Sequence, residues 1–393
     1  MTFSMDNFEL EKKARQHGFE AVGSVSIDVL KRVKSRGDMK KDIPENTETF
    51  FIFFQRYPLA APINFKDYGE EIRIAYFARI YDYHDILKRK LKEISQELTA
   101  ETGSFHSWWG VDDHSLPEKY LAKKAGMGFL GLNTLLINRD LGSFGFLGVI
   151  ASPLELEEVQ EQNSSFAENA HIEKTDSSFY QPARICKDCF KCLKACPVDA
   201  LSGEKIKLDS DRCISSLTQR RGRFEWRRLV QFQNHFWGCD ICQQVCPCNK
   251  NFDYGRKING GCDEENGGIS ADYWPRVGAM TVKEVLKLRR RNLPSCWNSY
   301  AFGWRGTRIL VRNMLIVLAN NLKPAFVKEI EDMTRDPSPI IRFYAFYCLY
   351  RWYWQENKDR AKNFIAEKIE EEKNPKNLQI LKNILNSREE FVT

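Results

Sequence analysis

Helix-like and strand-like patterns alternate along the first 154 residues. A polar, helix-forming start, Asn7 to His17, meets Gly18 and then a short apolar stretch, Ala21 to Val25. Thr47 to Phe54 (TETFFIFF) is an apolar run of strand length that stops before Tyr57-Pro58, the pattern of a buried strand. Residues 70–98 carry helical spacing through Ile72, Ala75, Tyr76 and Arg79, then Ile86, Leu87, Leu91, Ile94 and Leu98. Leu116 to Ala125 predicts another helix, Thr134 to Ile137 a short strand, and Phe146 to Ile150 a further apolar segment. This alternation predicts an α/β domain over residues 1–154.

The next 28 residues, 155–182, are acidic and rich in Ser, Asn and Gln, which predicts a polar insertion or linker. Residues 183–275 hold most of the cysteines. From Thr281 onward the pattern is helical: 306–321, then 340–354 after the break Asp336-Pro337-Ser338-Pro339, then 358–371 and 376–386. Helix pairs about 30 residues apart predict a HEAT-like helical domain over 276–393.

Length and composition narrow the class. At roughly 100–200 residues per domain, 393 residues make two or three domains. The longest aliphatic run, Met314 to Ala319, is far below the ~20 residues of a membrane helix. The N-terminus mixes acids and bases and has no apolar h-region, so no signal peptide is expected. A soluble, cytoplasmic, monomeric protein is the expectation. Its formal charge of +6 is too mild to define a nucleic-acid binder by itself.

Twelve cysteines change the picture, because eight of them fall between residues 186 and 246. In a reducing cytosol such clustering points to metal ligation rather than disulfides. Cys186-x2-Cys189-x2-Cys192-x3-Cys196-Pro197 has the spacing of the bacterial ferredoxin run, whose fourth cysteine ligates the other cluster. A second half follows, Cys239-x2-Cys242-x3-Cys246-Pro247, but Phe236 stands where the repeat requires its first cysteine. Cys213 is the one other cysteine between the halves and replaces it. One four-iron–four-sulfur (4Fe–4S) cluster is therefore expected on Cys186, Cys189, Cys192 and Cys246, and another on Cys196, Cys213, Cys239 and Cys242. Zinc bound in a treble-clef or knuckle is the competing reading, and Cys248 is near enough in sequence to the clusters to be an alternative ligand to them. Cys262, Cys296 and Cys348 lack ligand spacing, and Cys348 reads as a core thiol.

Two clusters form an electron conduit that needs a reaction centre. The candidate runs before them are Gly110-Val111-Asp112-Asp113-His114 and Gly126-Met127-Gly128-Phe129-Leu130-Gly131. The glycines permit close backbone approach to a ligand or a tight turn. The string follows a helix rather than a strand, so a nicotinamide fold is not expected.

Taken together, Asp82-Tyr83-His84; Val111-Asp112 with Glu118 six residues beyond the Asp; Ala125 to Gly131 followed by Asn133-Thr134-Leu135-Leu136-Ile137; and Gly142-Ser143 resemble the epoxyqueuosine reductase family of cobalamin-dependent iron–sulfur enzymes, relatives of reductive dehalogenases. Cys213-Ile214-Ser215 with Leu217-Thr218, Gly238-Cys239-Asp240 and Arg312-Asn313 extend the likeness over most of the chain, in order. The resemblance implies a cobalamin-binding α/β domain, a ferredoxin-like two-cluster domain, an external flavodoxin or ferredoxin as electron donor, and tRNA as substrate. It implies Asp112 as proton donor to the departing epoxide oxygen, with Tyr83, His84, Gly131, Asn133, Thr134, Ser143, Ser215 and Thr218 at the cofactor. A carboxyl in that role must hold its proton near neutral pH, which requires a desolvated site. Leu132 departs from the family's usual Lys and Gln219-Arg220 from its usual Ile-Glu.

The charge is segregated in a way that bears on substrate. No Asp or Glu occurs from Val285 to Lys328, a stretch with nine Lys and Arg that include Arg289, Arg290, Arg291, Arg305, Arg308 and Arg312. Arg220 and Arg221 head a second basic run. These arginines, with Trp297, Trp304 and Phe224 for base stacking, are the expected tRNA contacts. A cobalamin-dependent reductase of a small molecule, dehalogenase-like, and an electron carrier without its own reaction centre are the alternatives.

Overall fold

A computed structural model describes residues 7–32, 43–57, 65–69, 71–103, 108–113, 116–154, 183–250, 280–288 and 293–386. The expected insertion at 155–182, Cys262 and Arg289 to Arg291 lie outside the described residues. The strands are β1 (Ala21–Ser26), β2 (Thr49–Arg56), β3 (Arg73–Ile74), β4 (Trp108–Gly110), β5 (Phe129–Leu130), β6 (Leu136–Ile137), β7 (Gly145–Ser152) and β8 (His235–Trp237). The helices that precede residue 250 are α1 (Asn7–Gln16), α2 (Tyr83–Thr102), α3 (Glu118–Lys124), α4 (Arg184–Lys187), α5 (Lys191–Ala195), α6 (Ile214–Gln219) and α7 (Ile241–Gln244). Beyond it come α8 (Val282–Lys287), α9 (Ser295–Asn298), α10 (Thr307–Asn320), α11 (Val327–Met333), α12 (Pro339–Glu356), α13 (Lys358–Glu371) and α14 (Pro375–Asn386).

The chain divides into two compact units that interleave in sequence. The first comprises Met1–Ala60, Ile80–Asp209 and Ile241–Trp274; the second comprises Ala61–Arg79, Ser210–Asp240 and Pro275–Thr393. Residues 61–79, expected in the first domain, thus belong to the second unit.

A four-stranded sheet of order β1-β2-β7-β4 organises the first unit. TETFFIFF supplies β2, with Phe50 to Phe54 no more than 2% exposed because both faces of the sheet are covered. Phe50, Ile52 and Phe54 face Tyr120, Leu121 and Ala122 of α3 in one hydrophobic cluster. On the other face, Phe53 sits opposite Gly148 of β7. A Cβ on Gly148 would come within 2.8 Å of Leu91 Cδ1, so the glycine lets α2 approach the sheet. All three pairings are antiparallel, unlike the parallel sheet that helix–strand alternation suggests. The chain leaves β2, forms α2, returns to the sheet as β4, and then forms α3 before β7, so both helices join strands of one sheet without parallel crossovers.

The helix expected over 70–98 begins only at Tyr83. Asp82 caps it, its carboxylate accepting the His84 N–H at 3.0 Å. Before it, β3 pairs in parallel with β8, and Tyr76–Ala78 forms a 3-10 turn. The partner strand lies about 160 residues later, so no local pattern reports it.

In the second unit α10 is buried from Ile309 to Ala319, and α12 is buried over most of its length. Pairwise packing runs α10 on α12, α11 on α12, α12 on α13 and α13 on α14. Arg342 of α12 grips Glu372 through Nε at 3.0 Å and Nη2 at 2.6 Å, and Asn377 Nδ2 donates to the same carboxylate at 2.7 Å. The expected helices at 306–321, 340–354, 358–371 and 376–386 are all present, with α11 added between the first two.

Candidate functional site

Asp112 follows the end of β4 with φ of 50°, a left-handed conformation that costs a non-glycine residue about 1–3 kcal/mol and concentrates at functional sites. Its side chain is 58% exposed and meets two residues from the start of α2. The Tyr83 hydroxyl donates to Asp112 Oδ2. His84 Nε2 lies 3.7 Å from the same oxygen, while its Nδ1 is 2.7 Å from Asp82 Oδ1. Tyr83 is held rigidly, with its ring stacked on Phe146 at 3.7 Å and on His84 at 4.2 Å. Burial, then the charge of Asp112, raises the Tyr83 pKa, so its hydroxyl stays protonated.

The desolvated carboxyl that the chemistry calls for stands six residues on, at Glu118. It is 8% exposed and accepts the Asp113 N–H at 2.9 Å. Burial, reinforced by the charge of Asp112, pushes its pKa from 4.5 up to about 8, so Glu118 carries a proton at neutral pH. Lys119, next to Glu118 in α3, is open to solvent. Its Nζ donates to the Thr134 carbonyl at 3.3 Å. Lys119 was not legible in the sequence, because neither spacing nor a charge run marks it.

Thr134 also has positive φ, 65°, and closes the loop between β5 and β6. The glycines here serve the hairpin itself. A Cβ on Gly128 would lie 2.4 Å from the Ile137 carbonyl, and one on Gly131 would lie 2.5 Å from Ile137 Cδ1. Asn133 in the same loop is 4% exposed, and its Nδ2 has no hydrogen-bond partner in the protein. Ser143 and Thr218 differ: both hydroxyls are buried and already engaged. Ser143 Oγ donates to Gln243 and accepts from Asn249, each at 3.0 Å. Thr218 Oγ1 donates to the Ser215 carbonyl at 3.0 Å and accepts the Gly238 N–H at 2.9 Å. These two side chains hold elements together and are withdrawn from the expected cofactor contacts. Ser215 stays half-buried in α6.

Cys186, Cys189, Cys192 and Cys246 stand within electrostatic reach of one another in the first unit. Burial, then Cys186, Cys246 and Cys189, push the Cys192 thiol up to about 11. Such mutual repulsion of thiolates is what bound iron relieves. Burial also raises Cys186, whose sulfur accepts the Leu132 N–H. The Cys248 thiol donates to Cys246 and holds it below the ordinary thiol range, which makes Cys248 a hydrogen-bond donor to a candidate ligand. Cys196 and Cys242 belong to the first unit, Cys213 and Cys239 to the second. Cys348 is fully buried, as expected of a core thiol. Among the described residues no three Cys, His, Asp or Glu side chains group tightly enough to hold a single metal ion.

The expected nucleic-acid residues separate sharply. Arg221 and Arg308 are exposed, and Arg305 lies 3.7 Å over the ring of Trp304, itself 52% exposed. Arg220 is tied to Asp211 at 2.5 Å. Arg312 is 1% exposed and spends its donors on main-chain carbonyls, so it is unavailable to a ligand. Trp297 and Phe224, at 4% and 9% exposure, belong to the core and offer no stacking surface.

Residues 185–249 match the family described as "4Fe-4S double cluster binding domain", and residues 40–113 match "Epoxyqueuosine reductase QueG, DUF1730". An epoxyqueuosine reductase of Lactococcus garvieae is 29% identical over 261 residues, covering 65% of this chain and 64% of that protein. One from Bacillus subtilis is 28% identical over 269 residues, 68% of this chain and 61% of its own length. The alignments thus span under two thirds of these relatives. The solved epoxyqueuosine reductase of Streptococcus thermophilus shares the fold at a TM-score of 0.72 and 23% identity, covering 96% of this chain and 97% of that one. A second, solved with an epoxyqueuosine-modified tRNA-Tyr stem loop, gives 0.65 at 21% identity over 97% and 98%.

The paired cysteine motifs and the double-cluster match place the protein in the class of two-cluster iron–sulfur proteins. Within that class, the chain is similar to epoxyqueuosine reductases: residues 40–113 match that family's model, the curated relatives align over most of the chain, and the solved ones share its fold.

Proposed function

We propose that the protein reductively removes the epoxide oxygen of epoxyqueuosine in tRNA, giving queuosine. Opening the epoxide to an alkene takes two electrons and two protons and releases the oxygen as water. One observation carries the reading. The loop that includes Leu132 and Thr134 touches both halves of such a reaction: Leu132 donates to the proposed cluster ligand Cys186, and Thr134 accepts from Lys119 beside Asp112. Proton-bearing and electron-bearing groups meet in one loop.

In this reading Cys186, Cys189, Cys192 and Cys246 hold the first cluster, and Cys196, Cys213, Cys239 and Cys242 the second, fed by an external flavodoxin or ferredoxin in the cytoplasm. The residues suit a cobalamin in the first unit in one respect: the orphaned Asn133 Nδ2 is a buried donor awaiting an acceptor such as a corrin amide. Bound there, cobalamin supplies a strongly reducing cobalt centre. Asp112 delivers a proton to the departing oxygen, Tyr83 and His84 orient its carboxyl, and Glu118 holds a proton nearby at neutral pH. The exposed Trp304–Arg305 pair with Arg221 and Arg308 receives RNA, and the C-terminal helices that carry it are read as HEAT-like repeats.

The test is anaerobic reconstitution with iron, sulfide and cobalamin, followed by nucleoside analysis of an epoxyqueuosine-containing stem loop. Queuosine formation supports the assignment. Turnover of a halogenated small molecule with an untouched stem loop would replace it with the dehalogenase-like reading.

A further inference from the structure

The second unit contains a buried polar knot that the proposed chemistry does not use. Arg312 and Asn313, adjacent in α10, are 1% and 0% exposed. Among the described residues no carboxylate pairs with the Arg312 guanidinium, whose donors reach oxygens only. Its Nη2 donates to the carbonyls of Leu217 at 3.3 Å and Thr218 at 3.1 Å, and its Nη1 to those of Arg220 and Gly222. Nε and Nη2 also donate to Asn313 Oδ1, at 3.0 and 2.7 Å. Asn313 Nδ2 then donates to the Thr218 carbonyl at 2.8 Å and the Phe236 carbonyl at 2.9 Å.

The knot therefore grips two separate stretches of backbone. One is the C-terminal end of α6, where carbonyls lack helical partners and a cation is favoured. That helix starts at Cys213, whose carbonyl accepts the Leu217 N–H at 2.9 Å. The other is the end of β8, which passes through Gly238 into Cys239. Gly238 has φ of 68°, and a Cβ there would lie 2.5 Å from that of Ala75. Thr218 joins the stretches directly through the Gly238 N–H. The β3 side completes the hold: Ala75 N–H donates to the Trp237 carbonyl at 2.8 Å and Tyr76 N–H to Asp240 at 2.6 Å.

A buried guanidinium without a carboxylate is costly, and an apolar side chain would fill the volume more cheaply. Its retention needs a reason beyond packing. We infer that Arg312 and Asn313 are positioning residues for the second cluster: they set Cys213 and Cys239 in the mutual register that ligation requires. This rests on the ligand assignment proposed above.

The experiment compares Arg312→Met and Asn313→Ala with the reconstituted full-length protein, by iron and sulfide content, electron paramagnetic resonance after reduction, and stepwise redox titration. The unaltered chain is expected to hold about eight irons. Both variants are expected to keep the first cluster and lose the second, halving the iron. Arg342→Met serves as control, because it breaks a half-buried ion pair in the same unit whose hydrogen bonds go to Glu372 and the Asp336 and Pro337 carbonyls rather than to either of these stretches, and it is expected to keep both clusters. If Arg312→Met does not fold, Arg312→Lys replaces it, with partial occupancy of the second cluster expected. Full iron content with unchanged signals and midpoints in the folded variants overturns the inference, as does loss of the same cluster in Arg342→Met. Fewer than about eight irons in the unaltered chain would instead count against the two-cluster assignment itself.

Discussion

The Asp112 site of the first unit and the Arg312 knot of the second are both dense polar constellations, yet they are built to opposite rules. Around Arg312 the donors of two buried side chains have found acceptors, all of them protein. Around Asp112 the account is left open: two residues sit in left-handed backbone, Asn133 Nδ2 has no partner, and Glu118 is a carboxyl too buried to ionise at neutral pH. Saturated networks hold a shape, whereas strained and unsatisfied ones are poised for a ligand or a proton. The contrast identifies chemistry more sharply than residue type does, since a buried asparagine stands in both places, with its amide nitrogen satisfied in one and without a partner in the other.

That contrast can be broken experimentally. The largest effect is expected at Asp112: Asp112→Asn should lower queuosine formation by at least about 100-fold with iron content and fold unchanged, measured by nucleoside analysis. Unchanged turnover would remove Asp112 from the proton path. Next, Asn313→Ala leaves buried carbonyls and part of the Arg312 fork unpaired, and should cost about 2–4 kcal/mol in denaturant unfolding of the protein before reconstitution.

Glu118 tests the same idea through pH. Folded, it keeps its proton up to about 8; unfolded, it releases it near 4.5. Between these values the native state binds more protons, so its contribution to stability is complete at low pH and is lost as pH rises through the window. Glu118→Gln removes that loss. The variant should gain on the wild type from pH 5 to pH 8, by at most about 5 kcal/mol, in melting curves at fixed ionic strength. A parallel pH dependence in the two proteins would place the proton elsewhere.

Smaller effects are expected at the surface and the orphan. Trp304→Ala should weaken stem-loop binding by about 1–2 kcal/mol without altering iron content, by filter binding at several salt concentrations. Asn133→Ala should change the stability of the cofactor-free protein by less than about 1 kcal/mol, since the amide nitrogen bonds to nothing there. The same change should weaken cobalamin binding, read by its absorbance. A large loss of stability instead would make Asn133 a structural residue like Asn313.

Local pattern carried a good part of the fold. The apolar run of β2 and the periodic helices α10, α12, α13 and α14 are legible because burial on both faces or along one stripe leaves its mark at neighbouring positions. The start of α2 was not, because the spacing of Ile72, Ala75 and Tyr76 is equally that of a short strand and turn whose partner, β8, is remote in sequence. Among site residues, Glu118 was visible as part of a motif, but its role follows from burial beside Asp112. Arg312 read as one more cation in a basic stripe, and only packing shows that it points inward.

By itself the sequence determined the cysteine spacing, which has the intervals of a ferredoxin run because ligation of a fixed-size cluster constrains them, and the double-cluster match over residues 185–249 favours that reading over zinc. The sequence also determined the candidate Asp112. The tertiary structure alone decided which polar groups are satisfied and which are left wanting, which arginines face solvent, and which carboxyl keeps its proton. Those are properties of distance and dielectric, set by residues scores of positions apart, and a one-dimensional pattern does not contain them.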